Sequence, residues 1–327
     1  MISKSIVAAD QPGEIVAEAR SILEEVGTLV VPQSYDEAEI RSLLANSTGL
    51  FSWGNIKLTK ELLSASPMLR VIGVVGVGCD HVDLPIATER GIIVGNGPGS
   101  NSEAVAEYAL MLMMVLTRNF VRAQKEIKAK VWSTADEFTG IELRGAILGL
   151  VGFGNIGRRV AVLAQCFGMS VFAYDPLVSP EIAQKSNVIL TDLHTVLAKA
   201  DILSIHTPLT VDSKGLIGSD EIRSMKKGSY LVNTARAPIV DEDALFEALR
   251  SGHIKAAATD VFPVEPPDLT RPIYHLDNFI ATPHIAAMTD GAMRDMQVEA
   301  AKAIFAVLNG NQPRSVVNPL VLDGLRR

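Results

Sequence analysis

The stretch AILGLVGFGNIGRRVAVLA, residues 146–164, decides the fold. An apolar run rich in β-strand formers leads into Gly152, Gly154 and Gly157, and an amphipathic run follows. This order of strand, glycine turn and helix is that of a dinucleotide-binding fingerprint. The first glycine allows the tight turn, the second lets the backbone approach a pyrophosphate, and the third lets the helix pack closely on the strand. The phosphates would lie at the positive N-terminus of the helix.

A second strand-like run ends in an acid, FAYDP at residues 172–176. Asp175 lies 175 − 157 = 18 residues beyond Gly157, about where a carboxylate binds the adenosine ribose hydroxyls. The alternative for Asp175 is a plain turn residue before Pro176. No basic residue follows as far as Val178 to accept a 2′-phosphate, which favours NAD over NADP.

Short apolar runs alternate with longer amphipathic stretches along the chain, which predicts parallel sheets covered by helices on both faces. The first 100 residues contain strand-like runs at 5–9, 28–31, 49–53, 71–75 and 92–94. Between them Asp36, Thr59 and Asp83 have side chains suited to capping helices.

A long helical pattern then covers residues 102–130, capped by Asn101 or Ser102. A second unit begins with a run at 146–151, and further runs follow at 170–174, 188–190, 202–205, 230–233, 256–259 and 279–281. These seven runs with intervening helices include the six strands of a complete doubly wound nucleotide domain. We expect one more helix over residues 290–308, followed by a polar tail.

Composition fits a two-domain cytoplasmic enzyme. The chain has 327 residues, 48% of them hydrophobic, and its 30 basic against 37 acidic side chains give a formal charge of −7. That charge disfavours a nucleic-acid or membrane-surface binder. Cys79 and Cys166 are too few for a disulfide framework, so we expect apolar filler in a reducing compartment. Neither the N-terminus nor the most apolar window, residues 108–116, predicts a signal peptide or a membrane span.

Three later segments carry polar residues at the ends of apolar strands: LVNTARAPIVDEDAL (231–245) with Arg236, AAATDVFPVEPP (256–267) with Asp260 and Glu265, and FIATPHIAA (279–287) with His284. In a doubly wound fold, residues that follow the carboxyl ends of strands line the ligand crevice. A histidine beside a carboxylate favours imidazolium, the form that donates a proton near neutral pH. An arginine offers a planar fork for a substrate carboxylate.

With the fingerprint, these motifs resemble the D-isomer-specific 2-hydroxyacid dehydrogenase family, which includes phosphoglycerate dehydrogenases and glyoxylate/hydroxypyruvate reductases. The resemblance implies two doubly wound α/β domains. Residues 1–100 and 289–327 would form a smaller, discontinuous, flavodoxin-like substrate domain, and residues 101–288 a Rossmann NAD domain, with the active site and a hinge between them. It also implies a homodimer formed through the NAD domain and the long helix.

The resemblance assigns the catalytic roles to Arg236, Glu265 and His284. His284 would protonate the carbonyl oxygen of a 2-oxo acid while NADH delivers hydride, Glu265 would keep His284 charged, and Arg236 would bind the substrate. The residues that we expect to line the cofactor, including Asp260 beside the nicotinamide amide, are Ser102, Gly152, Gly154, Asn155, Ile156, Gly157, Asp175, Thr207, Pro208, Thr234, Ala235, Arg236, Asp260, His284 and Ala286.

The segment VVGVGCDHVD (74–83) resembles the substrate loop of the family, in which the backbone at Val77 and Gly78 would bind the substrate carboxylate. Phosphoglycerate-specific relatives tend to carry an arginine where LFSWGNIKLT (50–59) offers Trp53. Trp53 therefore favours a small unphosphorylated acid such as glyoxylate or hydroxypyruvate. Because Lys57 could take the place of the arginine, a short phosphoglycerate dehydrogenase without a regulatory domain is the alternative.

A NAD-sensing corepressor-like protein is the second alternative, and formate oxidation is disfavoured because formate enzymes of the family usually place Gln, where this chain has Glu265, beside the histidine. We expect no metal site, since no His, Cys or carboxylate cluster has ligand spacing. For His206 we expect a structural or cofactor-lining role, and for His81 only a surface or capping one.

Overall fold

The computed structural model describes residues 4–9 and 14–325. The chain divides into two compact units, one comprising Met1–Asn101 with Thr289–Arg327 and the other Ser102–Met288. Each unit is built around its own parallel sheet.

The first unit alternates strands and helices, as predicted. Its strands are β1 Ser5–Ala9, β2 Thr28–Val30, β3 Gly49–Ser52, β4 Val71–Val74 and β5 Ile93–Gly95. The intervening helices are α1 Ala17–Glu24, α2 Glu37–Leu44, α3 Lys60–Ser64 and α4 Leu84–Glu89. The strand order is β2-β1-β3-β4-β5, all parallel, which is the flavodoxin-like doubly wound order.

The three predicted helix caps are present in this unit. The side chain of Asp36 accepts from the amide of Glu39, that of Thr59 from Leu62 and that of Asp83 from Ile86. Each cap satisfies a backbone donor that the first turn of a helix leaves without a partner. These local signals set where α2, α3 and α4 begin.

The second unit contains a larger parallel sheet. Its strands are β6 Ile147–Val151, β7 Ser170–Tyr174, β8 Ile189–Leu190, β9 Ile202–Ile205, β10 Ser229–Asn233, β11 Ile254–Thr259 and β12 Phe279–Ala281. Its helices are α5 Ser102–Thr117, α6 Phe120–Lys128, α7 Asn155–Cys166, α8 Pro180–Lys185, α9 Leu193–Lys199, α10 Ser219–Ser224 and α11 Glu242–Ser251. Single 3₁₀ turns lie at Ala135–Phe138, Ala237–Ile239 and Pro272–His275.

The strand order of this sheet is β12-β11-β10-β9-β6-β7-β8. It is the six-stranded Rossmann order with β12 added at one edge, and β12 lies at the run expected over residues 279–281. One apolar cluster joins α5, α7 and one face of the sheet, and another joins α9, α10, α11 and the opposite face. Helices therefore cover both faces, as predicted.

The prediction of one helix over residues 102–130 is wrong. Helix α5 ends at Thr117, and a separate helix, α6, begins at Phe120. The axes of the two helices differ by 63°. Asn119 between them has a left-handed backbone, with φ of 53°, and its side-chain amide donates to the carbonyl of Phe138 at 3.2 Å. A left-handed residue cannot continue an α-helix, so the chain bends there.

Within the described part of the chain, no single helix has the length and apolar character to cross a membrane, and the bent pair α5 and α6 passes that test together by length and composition alone. Cys79 and Cys166 are both free thiols. Cys166 is exposed at the end of α7, so its interpretation as apolar filler is wrong.

The chain returns to the first unit through α12 Asp290–Leu308, the helix that was predicted. Beyond it, the expected polar tail contains a short helix, α13 Val321–Leu325. Buried Asn318 anchors this segment, because its side chain accepts from the amide of Val94 and donates to the carbonyl of Ile92, both at 2.9 Å. Both ends of the chain thereby contribute to one core.

Close approach of α12 to β4 requires a residue without a side chain at position 73. A Cβ on Gly73 would lie 2.5 Å from the carbonyl oxygen of Ala300. We expect Gly73→Ala to destabilise the first unit by about 1–3 kcal/mol, the usual cost of overpacking. Urea unfolding followed by circular dichroism measures this free energy.

Gly291→Ala is the matched control, because the added Cβ meets nothing within 4 Å. It lies in α12 and should stabilise the protein by about 0.5–1 kcal/mol through helix propensity. Equal unfolding free energies for the two variants would contradict the packing argument.

Candidate active site

The glycine turn between β6 and α7 combines two glycines fixed by packing and one that faces open space. Gly152 has a φ of +97°, and a Cβ there would lie 2.6 Å from the backbone of His206. A Cβ on Gly157 would lie 2.3 Å from the carbonyl oxygen of Gly152. A Cβ on Gly154, which caps α7, would meet nothing within 4 Å. The turn therefore presents bare backbone at a helix N-terminus, which suits an anionic phosphate.

Asp175 lies directly after β7 and is joined to the same turn. Its carboxylate accepts from the amide of Phe153 at 2.8 Å and from that of Leu177 at 2.9 Å. The first of these bonds fixes the acid beside the glycine turn. This is the relative placement of phosphate turn and ribose-binding acid that the fingerprint requires.

The remaining predicted cofactor residues are grouped around the same edge of the sheet. Asn155 and Ile156 open α7, Thr207 and Pro208 follow β9, and Thr234 and Ala235 follow β10. The hydroxyls of Thr234 and Ser102 are buried and have no hydrogen-bond partner among the residues described. Buried polar atoms without partners are rare and call for a ligand or water. Both hydroxyls are therefore free to hydrogen-bond a polar ligand, and the open space at Gly154 leaves room for one.

Arg236 follows β10 and is positioned by a buried amide. The side chain of Asn233, the last residue of β10, donates to the carbonyl of Arg236 and accepts from the amide of Ala235, both at 3.0 Å. One guanidinium nitrogen of Arg236 donates to the carbonyl of Ala235 at 2.7 Å. The role of Asn233 was not predicted, although an amide at the end of a buried strand is a visible signal in the sequence.

His284 and Glu265 form a direct pair. Nδ1 of His284 lies 3.0 and 2.9 Å from the two carboxylate oxygens of Glu265, and the amide of Phe262 donates to the same carboxylate. An ionised carboxylate only accepts, so Nδ1 carries the donated hydrogen and Nε2 is the nitrogen that exchanges a proton with a ligand. The side chains are 49% and 41% exposed, so a small molecule can reach them.

Asp260 lies directly after β11 and is fully buried. Its carboxylate accepts from the hydroxyl of Thr282 at 2.6 Å and from the amides of Ile285 and Ala286 at 2.9 and 2.7 Å. These partners flank His284 in the sequence. The contribution of Thr282 was not predicted, since no spacing rule links it to Asp260. The expected contact of Asp260 with a nicotinamide amide stays a prediction.

His206 follows β9 and is not available as an acid. Its Nε2 lies 2.8 Å from the hydroxyl of Ser204, and its Nδ1 is buried. Burial lowers the pKa of His206 to about 3, so the ring is neutral at ordinary pH. It packs behind the glycine turn.

The predicted substrate residues lie in the first unit, on the loops after β3 and β4. The ring of Trp53 packs edge-on against Phe51 with centroids 4.8 Å apart. Val77 is partly exposed, and its carbonyl accepts from the side chain of Asn96 at 2.7 Å. His81 lies 3.3 Å from the hydroxyl of Ser52 and joins the two loops, which the prediction of a surface or capping role missed.

Comparisons with known proteins show which family the chain belongs to. Residues 110–286 match the family described as "D-isomer specific 2-hydroxyacid dehydrogenase, NAD binding domain". The chain is 39% identical over 302 residues to a D-3-phosphoglycerate dehydrogenase of Methanocaldococcus jannaschii, covering 92% of this chain and 57% of that protein. It is 39% identical over 310 residues to a glyoxylate reductase of Thermofilum pendens, covering 92% of this chain and 91% of that protein.

The structure of this chain is also similar to the crystal structure of D-lactate dehydrogenase from Aquifex aeolicus complexed with NAD and lactic acid. The TM-score between the two is 0.84 at 30% sequence identity, and the match covers 98% of each chain. The chain belongs to the D-isomer specific 2-hydroxyacid dehydrogenase family, and its second unit carries the NAD-binding domain of that family. The expected family, fold class and NAD cofactor are therefore confirmed. The chain spans about half the length of the curated phosphoglycerate dehydrogenases that it matches.

The open space at Gly154 leads to a prediction about NADH. Gly154→Ala should fold normally but place a methyl group where the backbone meets the pyrophosphate. We expect NADH affinity to fall by about 1–3 kcal/mol, or roughly five- to 150-fold in Kd. Fluorescence titration measures this Kd. Gly291→Ala, which also adds a methyl group with no neighbour within 4 Å, controls for the effect of the added methyl on the fold. Unchanged NADH affinity in Gly154→Ala would contradict the assignment.

Burial of His206 predicts a pH dependence of stability. The unfolded chain binds a proton at His206 below pH 6.5, whereas the folded protein resists protonation down to about pH 3. Stability should therefore fall as pH is lowered from 6.5 towards 3, with a slope of up to about 1.4 kcal/mol per pH unit from this group. Urea unfolding of wild type and His206→Asn at several pH values tests this. Parallel curves for the two proteins would show that His206 contributes nothing.

Proposed function

We propose that the protein is an NAD-dependent D-2-hydroxyacid dehydrogenase that interconverts a small 2-oxo acid, such as hydroxypyruvate or glyoxylate, with its 2-hydroxy acid. The observation that carries this proposal is the contact of His284, on the loop after β12, with both oxygens of Glu265, on the loop after β11. Strand β11 lies next to β10, whose following loop holds Arg236. A histidine proton donor oriented by a carboxylate, together with a guanidinium that can bind a carboxylate, is the set of groups that reduction of a 2-oxo acid requires.

The catalytic roles follow from the chemistry of these side chains. NADH, when bound, supplies the hydride. Nε2 of His284 donates its proton to the carbonyl oxygen of the 2-oxo acid, and in the reverse direction it accepts the proton of the hydroxyl. Glu265 accepts from Nδ1 and so fixes the orientation of the ring. Arg236 binds the substrate carboxylate through its planar fork.

We assign NAD binding to residues 101–288 and substrate binding to residues 1–100 with 289–327. In the first part, the glycine turn and Asp175 would hold the pyrophosphate and ribose, and Thr234 and Ser102 would donate to the nicotinamide half. In the second, the backbone at Val77 and Gly78 would bind the substrate carboxylate and Trp53 would limit the size of the substrate. These assignments rest on the positions of the motifs and on the buried hydroxyls without partners.

The choice between an unphosphorylated and a phosphorylated substrate depends on Trp53. A half-buried aromatic ring packed on Phe51 fills space and provides no charge for a phosphate. Lys57 is exposed on the same loop and could reach a phosphate dianion, which keeps phosphohydroxypyruvate as the competing substrate. Relatives named for both activities have the same 39% identity to this chain.

We further propose a cytoplasmic homodimer with no nucleic-acid or membrane partner. Helix α6 has no buried residue, and Phe120, Ile127 and Trp132 expose apolar surface, Trp132 to 89%. Exposed apolar surface of this kind marks a protein interface. Two free thiols fit a reducing compartment, and the net charge of −7 disfavours polyanionic partners.

The test is NADH oxidation with glyoxylate, hydroxypyruvate, pyruvate, branched 2-oxo acids and phosphohydroxypyruvate, with NADPH as the cofactor control. We expect turnover of the small unphosphorylated acids with NADH. His284→Asn should lower kcat by about 100- to 10,000-fold, the usual contribution of a general acid. Arg236→Ala should mainly raise KM, whereas Arg250→Ala, at an exposed ion pair with Glu247, should behave as wild type.

Each other outcome has a defined meaning. Turnover of phosphohydroxypyruvate alone would make the protein a short phosphoglycerate dehydrogenase. No turnover with NADH still bound would favour the NAD-sensing, corepressor-like function. Unchanged kinetics in both Arg236→Ala and His284→Asn would overturn the mechanism.

A further inference from the structure

His284 has an unusual backbone for its residue type. Its φ is 55°, in the left-handed region that residues with a side chain rarely adopt. The turn is closed by a hydrogen bond of 2.9 Å from the amide of His284 to the carbonyl of Thr282, around Pro283. Such a conformation costs free energy and persists only where its surroundings hold it. The direction of the imidazole therefore depends on what fixes this turn.

The turn is held from both sides by one carboxylate, in an arrangement that we call the Asp260 clamp. The clamp consists of Asp260, the hydroxyl of Thr282 on one side of His284, and the amides of Ile285 and Ala286 on the other. Asp260 and Thr282 are themselves tied to the sheet, because their amides donate to the carbonyls of Asn233 and Thr259, both at 3.0 Å. The clamp therefore connects the His284 turn to β10 and β11.

We propose that Thr282 is a positioning residue for His284, acting through its hydroxyl on Asp260. This inference rests on the proposed function, in which His284 is the proton donor. The two amides hold only the segment after His284. Thr282 is the one side chain in the clamp that holds the segment before it. Without that hydroxyl, a buried carboxylate oxygen loses a donor at 2.6 Å, and the segment before His284 is held only through the backbone of Thr282.

Tyr108 on α5 lies close enough to the clamp for its pKa to respond to it. Burial raises the pKa of Tyr108, and the charge of Asp260 adds to that effect, so the phenol remains protonated.

The test compares Thr282→Val, which keeps the shape and removes the hydroxyl, with Thr282→Ser, which keeps the hydroxyl. We expect Thr282→Val to lower kcat by about 10- to 100-fold, as a displaced catalytic group does, with little change in the KM of the 2-oxo acid or the Kd of NADH. Thr282→Ser should keep most of the activity.

Thr195→Val is the matched control. It removes a threonine-to-aspartate hydrogen bond of similar length, 2.7 Å, at the start of α9, and should leave kcat unchanged. Wild-type kcat in Thr282→Val would overturn the proposal. So would equal losses in Thr282→Val and Thr282→Ser, because the hydroxyl would then be irrelevant.

A spectroscopic measurement separates this proposal from the proposed function. The protein has 6 histidines, so the imidazole NMR signals of histidine-labelled protein can be assigned with His284→Asn. Thr282→Val should move the His284 signals, and Thr282→Ser and Thr195→Val should not. If the wild type reduced no 2-oxo acid, the function would fail while these signals still tested the clamp. Unmoved His284 signals in Thr282→Val would overturn the clamp itself.

Discussion

Parallel pairing of β10, β11 and β12 is the constraint on which the candidate site depends. The register pairs Asn233 with Thr259 and Thr259 with Ala281, so the three strands end at the same edge of the sheet. Arg236, Asp260 and His284 each follow within three residues of a strand end. Segments far apart in sequence therefore reach one place through backbone pairing alone, before any side chain contributes.

Buried polar side chains then convert this edge into a site with fixed loops. Asn233 holds the loop of Arg236, and Asp260 holds the loop of His284. A buried carboxylate is costly unless its oxygens are hydrogen-bonded, and the donors to Asp260 offset that cost. The consequence is mutual: the loop makes the burial of Asp260 tolerable, and Asp260 keeps the loop in one conformation. Such support places a reactive group without reorganisation at the moment of reaction.

Local signals explain what could be predicted. Helix caps such as Asp36 act on amides three residues away, and strand composition marks each buried strand, so element order and sheet type follow from sequence. The glycine turn and its acid were recognised because their spacing is fixed by the ligand they serve. Asn119 was missed because the same apolar and charged pattern fits both a straight and a bent helix. Thr282 was missed because its partner, Asp260, lies 22 residues away and no local rule connects them.

Two histidines at the same edge of one sheet show that strand position alone does not determine the chemical role of a histidine. His206 follows β9 and His284 follows β12, and both succeed apolar strands. The nitrogen Nδ1 of His206 is buried and burial lowers its pKa to about 3, so it cannot donate a proton near neutral pH. Nδ1 of His284 lies 2.9 Å from a carboxylate oxygen of Glu265, and the ring is half-exposed, so a small molecule can reach Nε2. Strand position brings a histidine to the edge, and the loop after β11, by supplying Glu265, determines which histidine is fitted for acid–base chemistry.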